Sequence, residues 1–386
     1  MIRTAGDRRT ALIEQLDMAG RLPDRAWHAA FAEVPREGFV PWFFVPNRDQ
    51  PGWRLLEHDD AWLDGVYRDD ALVTQLDGDD TIVGRARAGE AVQGVPTSSS
   101  SAPSLMAAML DALHVGPGHR VFEAATGTGY NAALLSHRLG YELVTSVEVD
   151  TAVAERARSA LHDLGHRPTV IAGDATLGCP DRGPFDRIVS TVAVPAVPPA
   201  WLAQTRAGAR LVVPLVLAGH SGVMVALDRD DDGAHGRVLA QYGGFMATRS
   251  TPLPAPPTIR DAMLDHTRST DVPAQALGGP HPAAFFLALL TPTFSRLGFT
   301  PSDAATGPQT WGHGLDGSTF VHVGTDGRSR VAAHGPLWDD IETAYRTWLR
   351  LGRPSRTRLG LTVTPAGEHL LWLDDPAHVL RRLPHG

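Results

Sequence analysis

The 386-residue chain has a single cysteine, Cys179, so no intramolecular disulfide and no cysteine-based zinc site can form. That fits a reducing cytosol. It also lacks a basic excess. Its 35 Lys and Arg against 43 Asp and Glu give a net charge of −8, which argues against the basic footprint of a nucleic-acid binder. Long apolar runs are missing too: the opening MIRTAGDRRTALIEQL has no signal-peptide stretch, and nothing later is long and apolar enough to span a bilayer. The 17 histidines are scattered without metal-ligand spacing, so no metal site is expected. The expectation is a cytoplasmic monomer with neither nucleic acid nor membrane as partner.

What is present is ordinary for a soluble enzyme, with 43% hydrophobic and 20% charged residues in a length that suits two domains. Up to about Phe44 the sequence reads as helices, since Trp27, Phe31 and Val34 recur at helical spacing before Pro35. Residues 45–97 read as a long irregular insertion rich in Asp, Gly and Pro, with Asp69, Asp70, Asp77, Asp79 and Asp80 on a solvated loop. From His119 strands (RVFEA, ELVTSVEV, TVIAGD, FDRIVSTVA, ARLVVPLVL) alternate with helices (YNAALLSHRL, AVAERARSALHDL). That alternation predicts an α/β doubly wound, mostly parallel sheet. SGVMVALDRDDDGAHGRVLAQYGGF reads as a hairpin, and STPLPAPPT at 250–258 as a stiff connector. The predicted division is 1–97 for the N-terminal helices and insertion, 98–250 for the sheet core, and 259–386 for a small α+β accessory domain that recognises peptide.

VFEAATGTGYNAALL is a strand, a glycine-rich turn and a helix start. Gly127 and Gly129 let the backbone approach a ligand, and the helix N-terminus beyond offers free N–H groups. With Ala132 and Glu148 the stretch also satisfies the loose dinucleotide pattern, so a nicotinamide enzyme stays open. Three acids point elsewhere. Glu123 precedes the glycines, where a carboxylate meets an ammonium better than a pyrophosphate. Glu148 ends the second strand, suited to ribose hydroxyls, and Asp174 follows the third, suited to an exocyclic amine. Ammonium, ribose and adenine without phosphate describe S-adenosyl-L-methionine. Singly, each acid reads equally well as a helix N-cap or a surface carboxylate. Ala125, Thr126, Tyr130, Val149 and Ala175 complete the candidate cofactor set.

TSSSSAPSLMAAML places four serines directly before a helical pattern that one would open. With VPREGFVP, EAATGTGYNAALL, VTSVE, AGDAT and PFDRIVSTVAVPAVPPAWLAQTRAGARLVVPL, it resembles the protein-L-isoaspartate O-methyltransferases over about residues 20–250. The resemblance implies a Rossmann-like class I methyltransferase sheet, with the N-terminal helices and the extra C-terminal domain around it. It implies that Ser101, on the family's Ser-x-Pro step with Ala102 and Pro103, presents its hydroxyl to a substrate carboxylate. Ser99 and Ser100 join it as catalytic candidates, with Thr74, Gln75, Ser98 and Val194 on the substrate side. Ala125 departs from the pattern, because the family has glycine there.

The insertion, the serine run and the C-terminal domain resemble the branch encoded with ATP-grasp peptide maturases, which make graspetides. The implied partner is a precursor peptide macrocyclised by an ATP-grasp ligase. The implied reaction is methylation of an Asp side chain, the ester collapsing to an aspartimide and onward to isoAsp. An isoaspartyl repair enzyme and a catalytically silent peptide-binding protein are the alternatives.

Overall fold

Short amphipathic segments joined by polar turns build most of this molecule. The computed structural model describes residues 4–217, 220–241, 243–249, 267–277, 281–291, 294–303, 307–314, 316–323 and 329–383. The chain divides into two units. The first holds Met1–Val192, Pro198–Val213 and Ala226–Ala234; the second holds Ala193–Val197, Pro214–Val225 and His235–Gly386.

The first unit opens with helices α1 (Ala5–Met18) and α2 (Arg25–Glu33), as the helical spacing predicts. Asp24 caps α2 by accepting from the Ala26 and Trp27 N–H groups, and Trp27 and Phe31 turn inward. The stretch that reads as irregular is a folded layer. Strands β1 (Trp42–Pro46), β2 (Trp53–Glu57), β3 (Leu72–Leu76) and β4 (Pro96–Ser100) form an antiparallel sheet of order β2-β1-β3-β4. Helices α3 (Asp60–Val66) and α4 (Thr81–Arg87) lie between them. Phe44, Leu76, Ile82, Val83, Ala86 and Val92 make its core. Each apolar run is only a few residues long, so the turns dominate the composition. The predicted boundary at 97/98 cuts through β4, which pairs with β3, and it therefore marks no domain edge.

The clustered aspartates also serve the fold. Asp69 accepts from the Ser104 N–H, Asp77 from that of Val95, Asp79 from that of Thr81, and Asp80 pairs with Arg156. Asp70 pairs with Arg68 at the surface.

Helix α5 (Pro103–Ala112) leads to the parallel strands β5 (Val121–Ala124), β6 (Val144–Glu148), β7 (Thr169–Ala172), β8 (Phe185–Ser190) and β9 (Thr205–Leu217), in the order β7-β6-β5-β8-β9. Helices α6 (Tyr130–Leu139) and α7 (Thr151–Asp163) follow β5 and β6, and α8 (Pro199–Ala203) precedes β9. Phe122, fully buried, packs against Phe185 and Trp201 at ring distances of 5.4 and 6.2 Å. The strand order reverses at β5, and in such sheets ligands bind beyond the carboxyl ends of the strands at that point.

Strands β10 (His220–Asp230) and β11 (Gly233–Val238) form the expected hairpin. The connector at 250–258 lies outside the described residues. In the second unit β12 (Arg268–Ser269), upstream of α9 (Pro282–Leu290), and β13 (Phe294–Asp303), β14 (Gly307–Gly314), β15 (Thr319–Val323) and β16 (Arg330–His334), downstream of it, form an antiparallel sheet. Helix α10 (Leu337–Arg350) and the meander β17 (Leu359–Val363), β18 (His369–Leu373) and β19 (Val379–Leu383) follow. Trp338 of α10 stacks on Phe320 at 4.8 Å. His369 accepts from the Val197 N–H at 2.9 Å, while its other ring nitrogen lies 2.9 Å from the Gly367 carbonyl, which fixes the neutral tautomer. Among the described residues no helix is long and apolar enough to cross a membrane.

Candidate active site at the glycine turn

The turn after β5 holds three residues in the left-handed region: Ala125 (φ 70°), Gly127 (53°) and Gly129 (89°). For the glycines this conformation is free of strain; for Ala125 it is not. The Ala125 N–H donates to the Val147 carbonyl at 2.9 Å, and its own carbonyl accepts from the Thr191 hydroxyl at 2.5 Å. These two bonds hold the alanine where a glycine would sit unaided. Ala125→Gly is therefore expected to stabilise the chain. Relief of about 1–2 kcal/mol of strain outweighs about 0.4–1 kcal/mol of added unfolded-state entropy. A raised midpoint in urea is the predicted readout; a lowered one would show that the turn stores no strain at this residue.

Beneath the turn lies a buried polar network. The Thr126 and Ser146 hydroxyls are 2.6 Å apart, Ser146 donates to Glu123 at 2.5 Å, and Asn131 donates to its other oxygen at 2.6 Å. Glu123 is fully buried, and burial pushes its pKa up to about 7. Its carboxyl braces the turn from below, and each of its oxygens accepts one of these hydrogen bonds.

Glu148 stands differently. One oxygen accepts from the Gly127 N–H at 2.9 Å and the other from the Asp150 N–H at 3.1 Å, so it joins the ends of β5 and β6 at the mouth of the crevice. Val149 beside it is 52% exposed, an apolar surface next to a carboxylate. Asp174 is exposed and spends Oδ1 on the Thr176 N–H and hydroxyl, the capping role that competed with adenine recognition. Ala175 supplies a carbonyl to the Trp201 indole N–H. Tyr130, whose ring just past the glycines suits either covering a cofactor or packing, is buried against Phe31 and Phe39.

The serine run is not a lead-in to a helix. Ser98, Ser99 and Ser100 lie in β4, registered against Gln75, Val73 and Leu72 of β3. Ser98 and Ser100 are buried, as alternation along a strand requires. Helix α5 starts at Pro103 without a side-chain cap from its own N-terminus, and Asp69 bonds its Ser104 N–H across the fold. The strand runs against the glycine turn: a Cβ on Gly127 would lie 3.3 Å from the Ser99 carbonyl oxygen. The absence of a side chain at Gly127 permits that approach of the Ser99 backbone.

Arg36, from the VPREGFVP stretch, holds this strand and was not among the expected site residues. It is fully buried and donates to the carbonyls of Val66, Arg68, Asp70 and Ser101 at 2.8–3.2 Å, with the Ser100 carbonyl and hydroxyl at 3.4 Å. Its guanidinium also lies 5.9 Å from the Tyr130 ring centroid, so one side chain spans the serine strand and the helix after the glycines. Burial pushes its pKa down to about 10, which leaves it charged near neutral pH. The sequence signal was an arginine inside an otherwise apolar motif.

Thr74 and Ser98 face a cavity of about 400 Å³ together with Gly127 and Thr128, and their hydroxyls lie 3.4 Å apart. Gln75 is buried and binds Asp80, Asp150 and Thr97, which ties β3 to the cap of α7. Val194, in the second unit, is buried and pairs with Leu215. Ser146, in β6, and Thr191, just beyond the end of β8, were missed; only their places next to the turn mark them.

A family model described as Protein-L-isoaspartate(D-aspartate) O-methyltransferase (PCMT) matches residues 89–242. The chain is 34% identical over 190 residues to a protein-L-isoaspartate O-methyltransferase of Thermotoga maritima, covering 49% of this chain and 50% of that one. It is 35% identical over 215 residues to protein-L-isoaspartate O-methyltransferase 2 of Pelobacter propionicus, covering 55% of this chain and 78% of that one. It thus spans about half the length of the Thermotoga relative. A solved structure named protein-L-isoaspartate O-methyltransferase superposes with a TM-score of 0.53 at 24% identity, over 95% of this chain and all of the other.

Proposed function

The chain belongs to the protein-L-isoaspartate O-methyltransferase family, and on that premise we propose that it methylates a peptide carboxylate using S-adenosyl-L-methionine. The observation that carries the reading is the seating of a hydroxyl-bearing strand directly on the glycine turn, with Ser99 against Gly127. The cofactor supplies an electrophilic methyl group on a sulfonium. Glu148 and the exposed Val149 beside the Gly127 N–H suit its ribose and adenine.

Near pH 7 a carboxylate with an ordinary pKa of about 4 is already the nucleophile, so no general base is needed. What the protein supplies is orientation and exclusion of water. Hydroxyls of Ser99 and Ser101, with Ser98 and Thr74 at the cavity, orient an anion without neutralising it. With the cofactor bound, a carboxylate oxygen would bond to the methyl carbon as the carbon–sulfur bond broke and the thioether left. In the ester, the following backbone nitrogen attacks the carbonyl, loses its proton and expels methanol, which closes an aspartimide.

The substrate we favour is the side chain of an Asp in a ribosomally made, graspetide-type peptide already macrocyclised by an ATP-grasp ligase, met in the cytoplasm by a monomeric enzyme. Repair of isoaspartyl residues is the second reading. The solved relative spans 95% of this chain, so the added C-terminal mass does not by itself separate the two.

Titration of S-adenosyl-L-methionine tests the cofactor assignment. Glu148→Ala is expected to weaken binding at least about tenfold, the loss of about 1.4 kcal/mol, whereas Ser101→Ala lowers turnover and leaves that affinity within about twofold. Unchanged binding in Glu148→Ala contradicts the assignment.

A further inference from the structure

The cavity that Thr74 and Ser98 share with the glycine turn extends well beyond the reacting position. One wall is helix α7, which contributes Val153, Arg156, Ala160 and Asp163. Their spacing of three, four and three residues puts them on one face. At about 1.5 Å per residue that face is about 15 Å long. The opposite wall is the N-terminal layer, with Phe39 and Trp42.

The two ends can be told apart. At one end Trp42 donates to the Thr74 carbonyl at 3.2 Å and its ring lies 5.9 Å from the Arg156 guanidinium, beside the Thr74–Ser98 pair. At the other end Gly38 closes on Leu164, where even a Cβ would come within 2.7 Å. Phe39 and Val153, which also line the cavity, are buried. Arg87 and Arg156 both flank the Trp42 ring and are themselves held by Glu57 and Asp80, so this wall is fixed.

We infer that this groove along α7 receives the substrate chain on one side of the reacting residue. It would take a segment of about four or five residues in extended form, since about 3.3 Å per residue spans its length. The inference rests on the carboxylate-methylation reading above. A groove that begins at the serine strand is entered most directly by residues covalently joined to the group held there, which is why its occupant is peptide. Phe39, Trp42 and Val153 form an apolar strip, so the residue next to the reacting Asp is aromatic or aliphatic. Specificity for the neighbouring residue is then set by the N-terminal layer, outside the glycine turn altogether.

Two variants narrow the groove without removing anything from it: Ala160→Trp, on the half-buried face, and Ser159→Trp, at its exposed rim. The probe is a fluorescein-labelled peptide, Ala-Leu-Phe-Asp-Gly-Leu-Ala, followed by anisotropy, with unfolding midpoints measured alongside. Its affinity is expected to fall at least about tenfold in both variants, with midpoints within about 2 °C of wild type, the shift of about 1 kcal/mol or less. Should Ala160→Trp fail to fold, Ser159→Trp decides alone. Equal affinity for wild type and folded variant, or binding to neither, overturns the groove. Methyl transfer to the same peptide is recorded separately. Groove-dependent binding without transfer leaves the groove as a peptide site and returns the test of methylation to the macrocyclised substrate, since the probe is linear.

Discussion

Replacing Arg36 with leucine is expected to destabilise the chain by about 3–5 kcal/mol, because each buried carbonyl left without a donor costs about 1–3 kcal/mol. The carbonyls of Val66, Arg68, Asp70 and Ser101 all converge on this one guanidinium. Such a loss is a large part of the about 5–15 kcal/mol that holds a typical protein folded. Leucine fills much of the arginine's apolar volume, so the missing donors dominate the change. Arg36→Lys keeps the charge but has no planar fork to reach the 66–70 loop and the serine strand at once, so it should fall between. Denaturant midpoints of the three proteins check the order wild type, Lys, Leu. A leucine variant as stable as wild type would mean that the clamp is incidental.

Glu123→Gln should act in the opposite direction and only above mild acid. The folded pKa of Glu123 is raised, from an ordinary 4.5 to about 7. A raised carboxyl pKa means the folded state binds the proton more tightly than the unfolded one. The stability this gives is fully present below about pH 4.5 and is lost as pH rises through 7. Each tenfold tightening of proton binding is worth about 1.4 kcal/mol, so the loss is at most about 3 kcal/mol. Glutamine has no proton to lose and keeps a group that meets Ser146 and Asn131. The variant should therefore gain on wild type between about pH 5 and pH 8, by up to about 3 kcal/mol. Parallel pH profiles for the two proteins would show that Glu123 ionises without cost where it lies.

How much of this was legible beforehand depends on the period of each segment. The parallel strands were readable because RVFEA, ELVTSVEV and FDRIVSTVA are short runs rich in Val, Ile and Phe between helical patterns, and β5, β6 and β8 fall on them. The four-stranded layer was not, because β1 to β4 are five residues each and are separated by Asp, Gly and Pro turns. The serines misled for a related reason. Serine is a poor strand former and a good helix cap, and only pairing with β3 and the Arg36 clamp overrides that preference.

Within the site, backbone-borne features came through and side-chain directions did not. The glycines sit at positive φ as a ligand-approaching turn needs, and Glu148 meets the turn. Glu123 and Tyr130 occupy the expected positions in the chain but turn to partners that no local pattern reveals: Ser146 on the next strand, and Phe31 and Phe39 far upstream. Arg36 was part of a recognised motif, yet its acceptors lie far along the chain, at residues 66–70 and at the end of the serine strand, so only the tertiary fold discloses its task.

The central claim is that this chain methylates a carboxylate whose ester closes to an aspartimide, and mass spectrometry tests it most directly. The purified protein is incubated with S-adenosyl-L-methionine and either a macrocyclised Asp-containing peptide from an ATP-grasp pathway or a linear isoaspartyl peptide. The account predicts gain of one methyl group followed by loss of methanol on the macrocyclised peptide, with the linear isoaspartyl peptide left unchanged. Methylation of the isoaspartyl peptide alone would return the protein to repair. No methyl gain on either peptide would contradict the claim itself.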